Sequence, residues 1–152
     1  MADRERRRRE SAVLSGLREL RIELAVLNHR VGTKVELKDV DFDCLDVIAR
    51  HGPLTPSALA ARVGVHVATM TGILNRLEDG GWVTRTRSDD DRRAVVVAST
   101  PDRQREIYRM FGGMNARMAQ ILADYSEAEL TAIANFLDRT VTAGRAAADE
   151  LR

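Results

Sequence analysis

Cysteine occurs once in the 152-residue chain. That excludes an internal disulfide framework and any multi-cysteine zinc site, and it fits a reducing compartment. No apolar run approaches the ~18 residues of a membrane-spanning helix. No apolar segment directly follows the N-terminal arginines, so a secretory signal is not expected either, and the cytoplasm is the expected location. Bulk charge of one sign is also missing: 24 Lys and Arg stand against 23 Asp and Glu, a net charge of +1. Affinity for a polyanion must therefore come from placed arginines. His29, His51 and His66 lack metal-ligand spacing. The run Asp89, Asp90, Asp91 lacks the Asn, Gly and Glu neighbours that a hard-cation loop uses. No nucleophile, base and pocket form a catalytic set. No metal, cofactor or enzymatic activity is expected.

What is present is ordinary for a globular chain: 44% apolar and 31% charged residues, enough for one domain with a real core. No internal repeat, low-complexity segment or linker interrupts it. Met1 to Glu10 is a charge run, read either as a solvated helix start or as a basic arm touching phosphates. From Ser11 the spacing turns helical. Val13, Leu17, Leu20, Leu24, Leu27 and Val31 share a face, which Leu14, Ile22 and Val26 widen. Such a helix is packed on more than one side, deep in the domain or against a second subunit, and Gly32-Thr33 breaks it. Asp39 is the expected N-cap of a helix over 40–51. Its core face is Phe42, Leu45, Ile48 and Ala49, with Val40, Cys44 and Val47 as a second stripe, and Gly52-Pro53 stops it.

The central stretch, Thr55 to Val97, organises the rest. Leu54 reads as a one- or two-residue strand. Thr55 or Ser57 caps a short helix through Arg62, and Gly64 supplies the turn. The next helix runs from about His66 to Asp79, where Gly80-Gly81 stops it. It carries Thr69, Thr71 and Asn75 on one face and Val67, Met70, Leu74 and Leu77 on the other. Trp82 to Thr86 and Arg93 to Ala98 read as a hairpin, with Arg87 to Arg92 as a solvated loop and Trp82 anchoring the hairpin to the helices. A polar-faced helix beside an arginine-tipped hairpin is a shape that enters two grooves of a duplex. Thr100-Pro101-Asp102 then opens a helix whose spacing continues through Met110, Phe111, Met114 and Met118 to Tyr125. Ser126 with Glu129 forms a capping box for a last helix carrying Leu130, Ile133, Leu137, Val141, Ala148 and Leu151. That stripe needs a partner surface, and the N-terminal helix of the same or another chain is the obvious one.

These segments resemble the multiple-antibiotic-resistance regulator (MarR) family over roughly residues 10–145. The marks are FDCL at Phe42 to Leu45, LTPSALAARVGV at Leu54 to Val65, ATMTGILNRLEDGGWVTR at Ala68 to Arg85, SDDDRRAVVV at Ser88 to Val97, and STP at Ser99 to Pro101. The resemblance implies a mainly α fold with a small β-hairpin wing: a winged helix-turn-helix with N- and C-terminal dimerisation helices. The DNA-binding lobe would span about 39–100, and the dimerisation helices about 10–31 and 101–151. It implies a homodimer that binds double-stranded DNA at a pseudo-palindromic operator. Many members release that DNA when a small aromatic or phenolic compound binds. Carried over by position, His66, Ala68, Thr69, Thr71, Asn75 and Arg76 belong to the recognition helix. Arg93 is the wing arginine for the minor groove, Asp91 orients it, and Arg92 meets phosphate. Three residues depart from the family pattern: Gly72 where an arginine is common, His66 in place of a serine-type cap, and Arg103 where a glycine is common.

A ligand cleft is expected among the first, second and fifth helices, with His29, Cys44, Met110 and Met114 as candidate lining. The methionines also read as helix core. Cys44 reads as a small apolar residue or, alternatively, an oxidant sensor, with no Lys, Arg or His in its helical neighbourhood to lower its pKa. The rival functional reading is a dimeric ligand-binding or protein-interaction module that has lost DNA binding, which Gly72 and the acidic loop favour.

Overall fold

A computed structural model describes residues 2–88 and 94–151, and the chain divides into two compact units, Met1–Arg109 and Met110–Arg152. In the first unit α1 (Ala2–Lys34) is followed by α2 (Asp39–His51), α3 (Pro56–Val63), α4 (Val67–Asp79), β1 (Val83–Arg87), β2 (Val95–Ser99) and all but the last residue of α5 (Pro101–Met110). The second unit holds α6 (Gly112–Leu122) and α7 (Glu127–Asp149).

The N-terminal charge run is helical. Asp3–Arg7, Glu5–Arg9 and Arg6–Glu10 pair one turn apart, and all six side chains remain in water. Such pairs stabilise a helix by about 0.3–0.5 kcal/mol each. The helix also passes through Gly32-Thr33, where the sequence predicts a break. One interior glycine costs only about 1 kcal/mol, and Thr33 Oγ1 donates to the His29 carbonyl at 2.9 Å. The chain turns later, at Glu36, whose φ is +59°. Asp39 is not the N-cap of α2. Lys38 holds that position without a side-chain bond, and Asp39 opens the helix with its carboxylate 2.8 Å from His29 Nδ1. The buried face of α2 is rotated from the expected one: Asp41, Phe42, Cys44, Leu45 and Ile48 point inward, whereas Ala49 is exposed.

The core gathers Cys44, Leu45 and Ile48 of α2, Leu59 and Ala60 of α3, Met70, Ile73, Leu74 and Leu77 of α4, with Trp82, Val83 and Val97 from the hairpin region. Thr55 caps α3 by accepting from Ala58 N–H at 3.2 Å. Gly64, at φ +79°, ends it in the left-handed conformation that glycine adopts without steric cost. The axis turns through 106° between α3 and α4, within the range of a helix-turn-helix. β1 and β2 pair antiparallel with Val83 opposite Ser99 and Arg87 opposite Val95. Leu54 makes its expected one-residue bridge, to Val97.

Beyond the hairpin, the single helix expected from Pro101 to Tyr125 is broken at Phe111, before Gly112-Gly113. Two adjacent glycines cost a helix roughly 2 kcal/mol relative to alanines. The capping box of α7 is present: Ser126 Oγ accepts from Glu129 N–H, and Glu129 accepts from Ser126 N–H at 2.8 Å. None of the residues of α5, α6 and α7 is buried, so Met110, Met114 and Met118 are not the core of one chain.

Candidate nucleic-acid interface

α4 is built with two unlike sides. Met70, Ile73, Leu74 and Leu77 recur at helical spacing and are buried, which fixes the helix on α2 and α3. The opposite side exposes His66 at the N-cap, then Ala68, Thr69, Thr71, Gly72 and Asn75. Val67, expected on the buried side, is also exposed. It occupies the first turn, ahead of the point where α4 meets the core. Ala68, Thr71, Gly72 and Asn75 fall at i, i+3, i+4 and i+7, so they form one row of short side chains. His66 makes no side-chain capping bond, in keeping with the loss of the short acceptor that serine-type caps supply.

Arg76 does not belong to that open surface in the way its position suggests. Its Nε and Nη2 donate to the two carboxylate oxygens of Asp41, at 3.0 and 2.6 Å. Asp41 is the one buried acid among the described residues. The fork ties α4 to α2, because a carboxylate taken out of water needs charge-assisted partners. Sequence reasoning passed over Asp41, although its spacing to Cys44, Leu45 and Ile48 places it in the buried stripe. Cys44 lies within this arrangement. Burial first, and then Asp41 and Asp43, push its thiol up to about 12, against a smaller opposing effect of Arg76. The thiol therefore stays protonated and poorly nucleophilic near neutral pH.

Two arginines brace the hairpin. Arg85 of β1 donates through Nη2 to Asn75 Oδ1 at 2.7 Å, and its Nε lies 3.3 Å from Glu78 Oε2. Period-two alternation puts Arg85 on the same strand face as buried Val83, the signal that could have found it. Arg103 of α5 lies over the Trp82 ring, 4.5 Å from its centroid, and donates to the Gly80 carbonyl at 3.3 Å. The ring also approaches Gly80 so closely that a Cβ there would sit 2.7 Å from Trp82 Cδ1. Trp82 thus anchors the hairpin base, as expected, and Arg103 has a structural task where the family often has glycine. Asp91, Arg92 and Arg93 lie outside the described residues.

A separate cleft of about 510 Å³ opens between α1 and α2, lined by Leu17, Leu20, Leu24 and Phe42 with Arg21, Asn28, His29, Asp39 and Asp43. Of the four expected lining residues only His29 is here. Cys44 is in the core, because its side of α2 faces α3 and α4, and Met110 and Met114 belong to the second unit. Burial, reinforced by Asp39 and Asp46, raises the Asp43 carboxyl above its ordinary range. Among the described residues, no group of His, Cys, Asp and Glu could hold a metal, and no single helix is long and apolar enough to cross a membrane.

A helix-turn-helix whose second helix bares a short polar face, followed by a two-stranded hairpin, defines a winged helix-turn-helix DNA-binding protein. The MarR family model matches residues 37–95. The chain is 30% identical over 113 residues to the HTH-type transcriptional regulator PecS of Dickeya dadantii, spanning 72% of this chain and 68% of that one. It is 28% identical over 81 residues to the HTH-type transcriptional repressor YetL of Bacillus subtilis, covering 53% and 48% of the two chains. The crystal structure of transcriptional regulator Tm0710 from Thermotoga maritima superposes with a TM-score of 0.64 at 26% identity, over 88% of this chain and 94% of that one. The chain belongs to the MarR family and is a DNA-binding transcriptional regulator.

Proposed function

We propose that the protein is a homodimeric repressor. Two copies of α4 enter successive major grooves of a pseudo-palindromic operator, about one helical turn or ~10 bp apart, while the hairpins reach the flanking minor grooves. The observation that carries this reading is the one-sided burial of α4, which leaves His66, Ala68, Thr69, Thr71 and Asn75 facing outward. Threonine and asparagine bond phosphates or base edges, and their shortness lets a helix come close. Arg93, which the sequence places between the two strands, is drawn into the narrow, electronegative minor groove, oriented by Asp91, with Arg92 on phosphate. Arg76 serves as the strut behind this surface rather than as a groove contact.

The lobe spanning about 39–100 binds DNA, and the flanking helices, about 10–31 and 101–151, join the two copies. Support for a dimer comes from the apolar side chains that one chain leaves in water, among them Val13, Leu14 and Ile22 of α1 and Leu137 and Val141 of α7. Repression is the role that the name of YetL carries. Release falls to a small aromatic or phenolic ligand in the α1–α2 cleft, where Leu17, Leu20, Leu24 and Phe42 offer apolar walls and Arg21 and His29 offer polar ends. Such a ligand acts only through a difference in affinity between the DNA-bound and released states.

The test is a mobility shift with the DNA upstream of the protein's own gene, over a series of salt concentrations, for wild type and Arg93→Ala. The substitution should weaken binding and reduce the slope of log K against log salt by about 1.8, roughly 0.9 for each of the two wings of the dimer. Equal affinity and equal slope would remove the wing from the mechanism. No shift for either protein would refute the operator reading.

A further inference from the structure

Asn75 stands on the outward row of α4, and its amide is not free to turn. Arg85 crosses from β1 and donates through Nη2 to Asn75 Oδ1 at 2.7 Å. Arg85 is itself held: 29% of its side chain is exposed, and its buried Nε faces Glu78 Oε2 at 3.3 Å. Glu78, Arg85 and Asn75 thus form a chain running from the end of α4 through the hairpin and back to the helix.

The consequence follows from the two ends of an asparagine amide, one that accepts and one that donates. Reading adenine in the major groove uses both: Oδ1 accepts from the N6 amino group while Nδ2 donates to N7. Here the accepting end is already engaged, and the guanidinium charge upon it repels a second N–H donor. The end of the amide left for a base is Nδ2, with two N–H groups. Guanine presents two acceptors, N7 and O6, in the same groove. Ala68, Thr71 and Gly72 on the same row project little, so the helix can approach closely enough for a short amide to reach a base edge.

We propose that Arg85 is a positioning residue that makes Asn75 a donor-only reader, selecting guanine over adenine at one position of each operator half-site. The inference rests on the proposed seating of α4 in the major groove. It assigns the specificity to a residue that does not itself touch the base.

The test is selection of bound duplexes from a randomised library by the full chain as wild type, Asn75→Ala, Arg85→Met and Arg85→Lys. Wild type should enrich guanine over adenine at one position per half-site. Asn75→Ala, a change on an exposed surface, should flatten the preference there and nowhere else. Arg85→Met keeps the bulk and removes the donors, so the freed Oδ1 should move the preference toward adenine at least several-fold. Arg85→Lys restores a cationic donor and should restore guanine. A merely structural role for Arg85 would lower affinity without changing which base is chosen. Adenine enriched by wild type, Asn75→Ala leaving every preference intact, or Arg85→Met selecting as wild type does would each overturn the proposal. Failure of wild type to enrich any sequence would instead overturn the DNA-groove reading beneath it.

Discussion

At the residue scale the most consequential finding is that Arg76, itself half-exposed, meets the charge of a buried carboxylate. A carboxylate as deeply buried as Asp41 is stable only while its charge is met, and both of its oxygens are met by one guanidinium. Truncating Arg76 to alanine leaves that charge unpaired. Losing a charge-assisted hydrogen-bond pair to a buried carboxylate is destabilising, and the half-exposed position of Arg76 lets water offset part of the loss. Arg76→Ala should therefore lower the urea midpoint of unfolding. The double variant Asp41→Leu/Arg76→Met, which replaces both partners by apolar groups, should recover most of the loss. A double variant no more stable than Arg76→Ala would show that the pair's charge balance is not what Arg76 supplies.

At the scale of elements the recognition helix and the hairpin are bound into one piece. Arg85 ties β1 to α4, and Arg103 closes the base by stacking on Trp82 and bonding the Gly80 carbonyl at the end of α4. Thr100 N–H donates to the Trp82 carbonyl at 2.9 Å and completes the joint. Cation–π contacts of this kind contribute about 0.5–1 kcal/mol where water still reaches them. Arg103→Ala should thus destabilise by about 1 kcal/mol, and it should shift the emission of Trp82, the only tryptophan, toward longer wavelength. Arg103→Lys, which keeps the charge but not the planar stack, should fall between. Unchanged emission in Arg103→Ala would remove the stack as the anchor of the wing.

The same elements divide what the sequence could disclose from what it could not. Helical spacing, the Thr55 cap, Gly64 and the Ser126–Glu129 box act over a few residues, so α3, α4 and the start of α7 were legible. The Arg76–Asp41 pair spans 35 positions in the chain and the Arg103–Gly80 bond spans 23. Such contacts exist only once the fold has brought distant side chains together. Matching position to family role placed Asn75 and Arg76 on the DNA surface as a pair. Folding gives each a partner that spacing could not disclose: Arg85 for Asn75, and Asp41 for an Arg76 that stays partly exposed.

For the whole molecule, two kinds of association should answer differently to salt. Contact with a duplex displaces counterions and weakens steeply as salt rises. Covering the apolar side chains of α1 and α7 releases water and is insensitive to salt screening. A stable interface needs roughly 800 Å² per partner. The exposed row on α7 is a practical point to interrupt it, because no residue of that helix is buried. The double substitution Leu137→Glu/Val141→Glu places charge in the row at two side chains that are about half exposed. Light scattering should find wild type dimeric at both 0.1 and 1 M salt and the variant monomeric at both, with Trp82 emission unchanged. A monomer meets each operator half-site separately and loses the effective concentration, often in the millimolar range, that links the second contact to the first. Its affinity for the full operator should fall by about 100-fold or more, toward that of a single half-site. A variant that remains dimeric, or a monomer that binds the full operator as tightly as wild type, would break the proposed link between the apolar helices and DNA recognition.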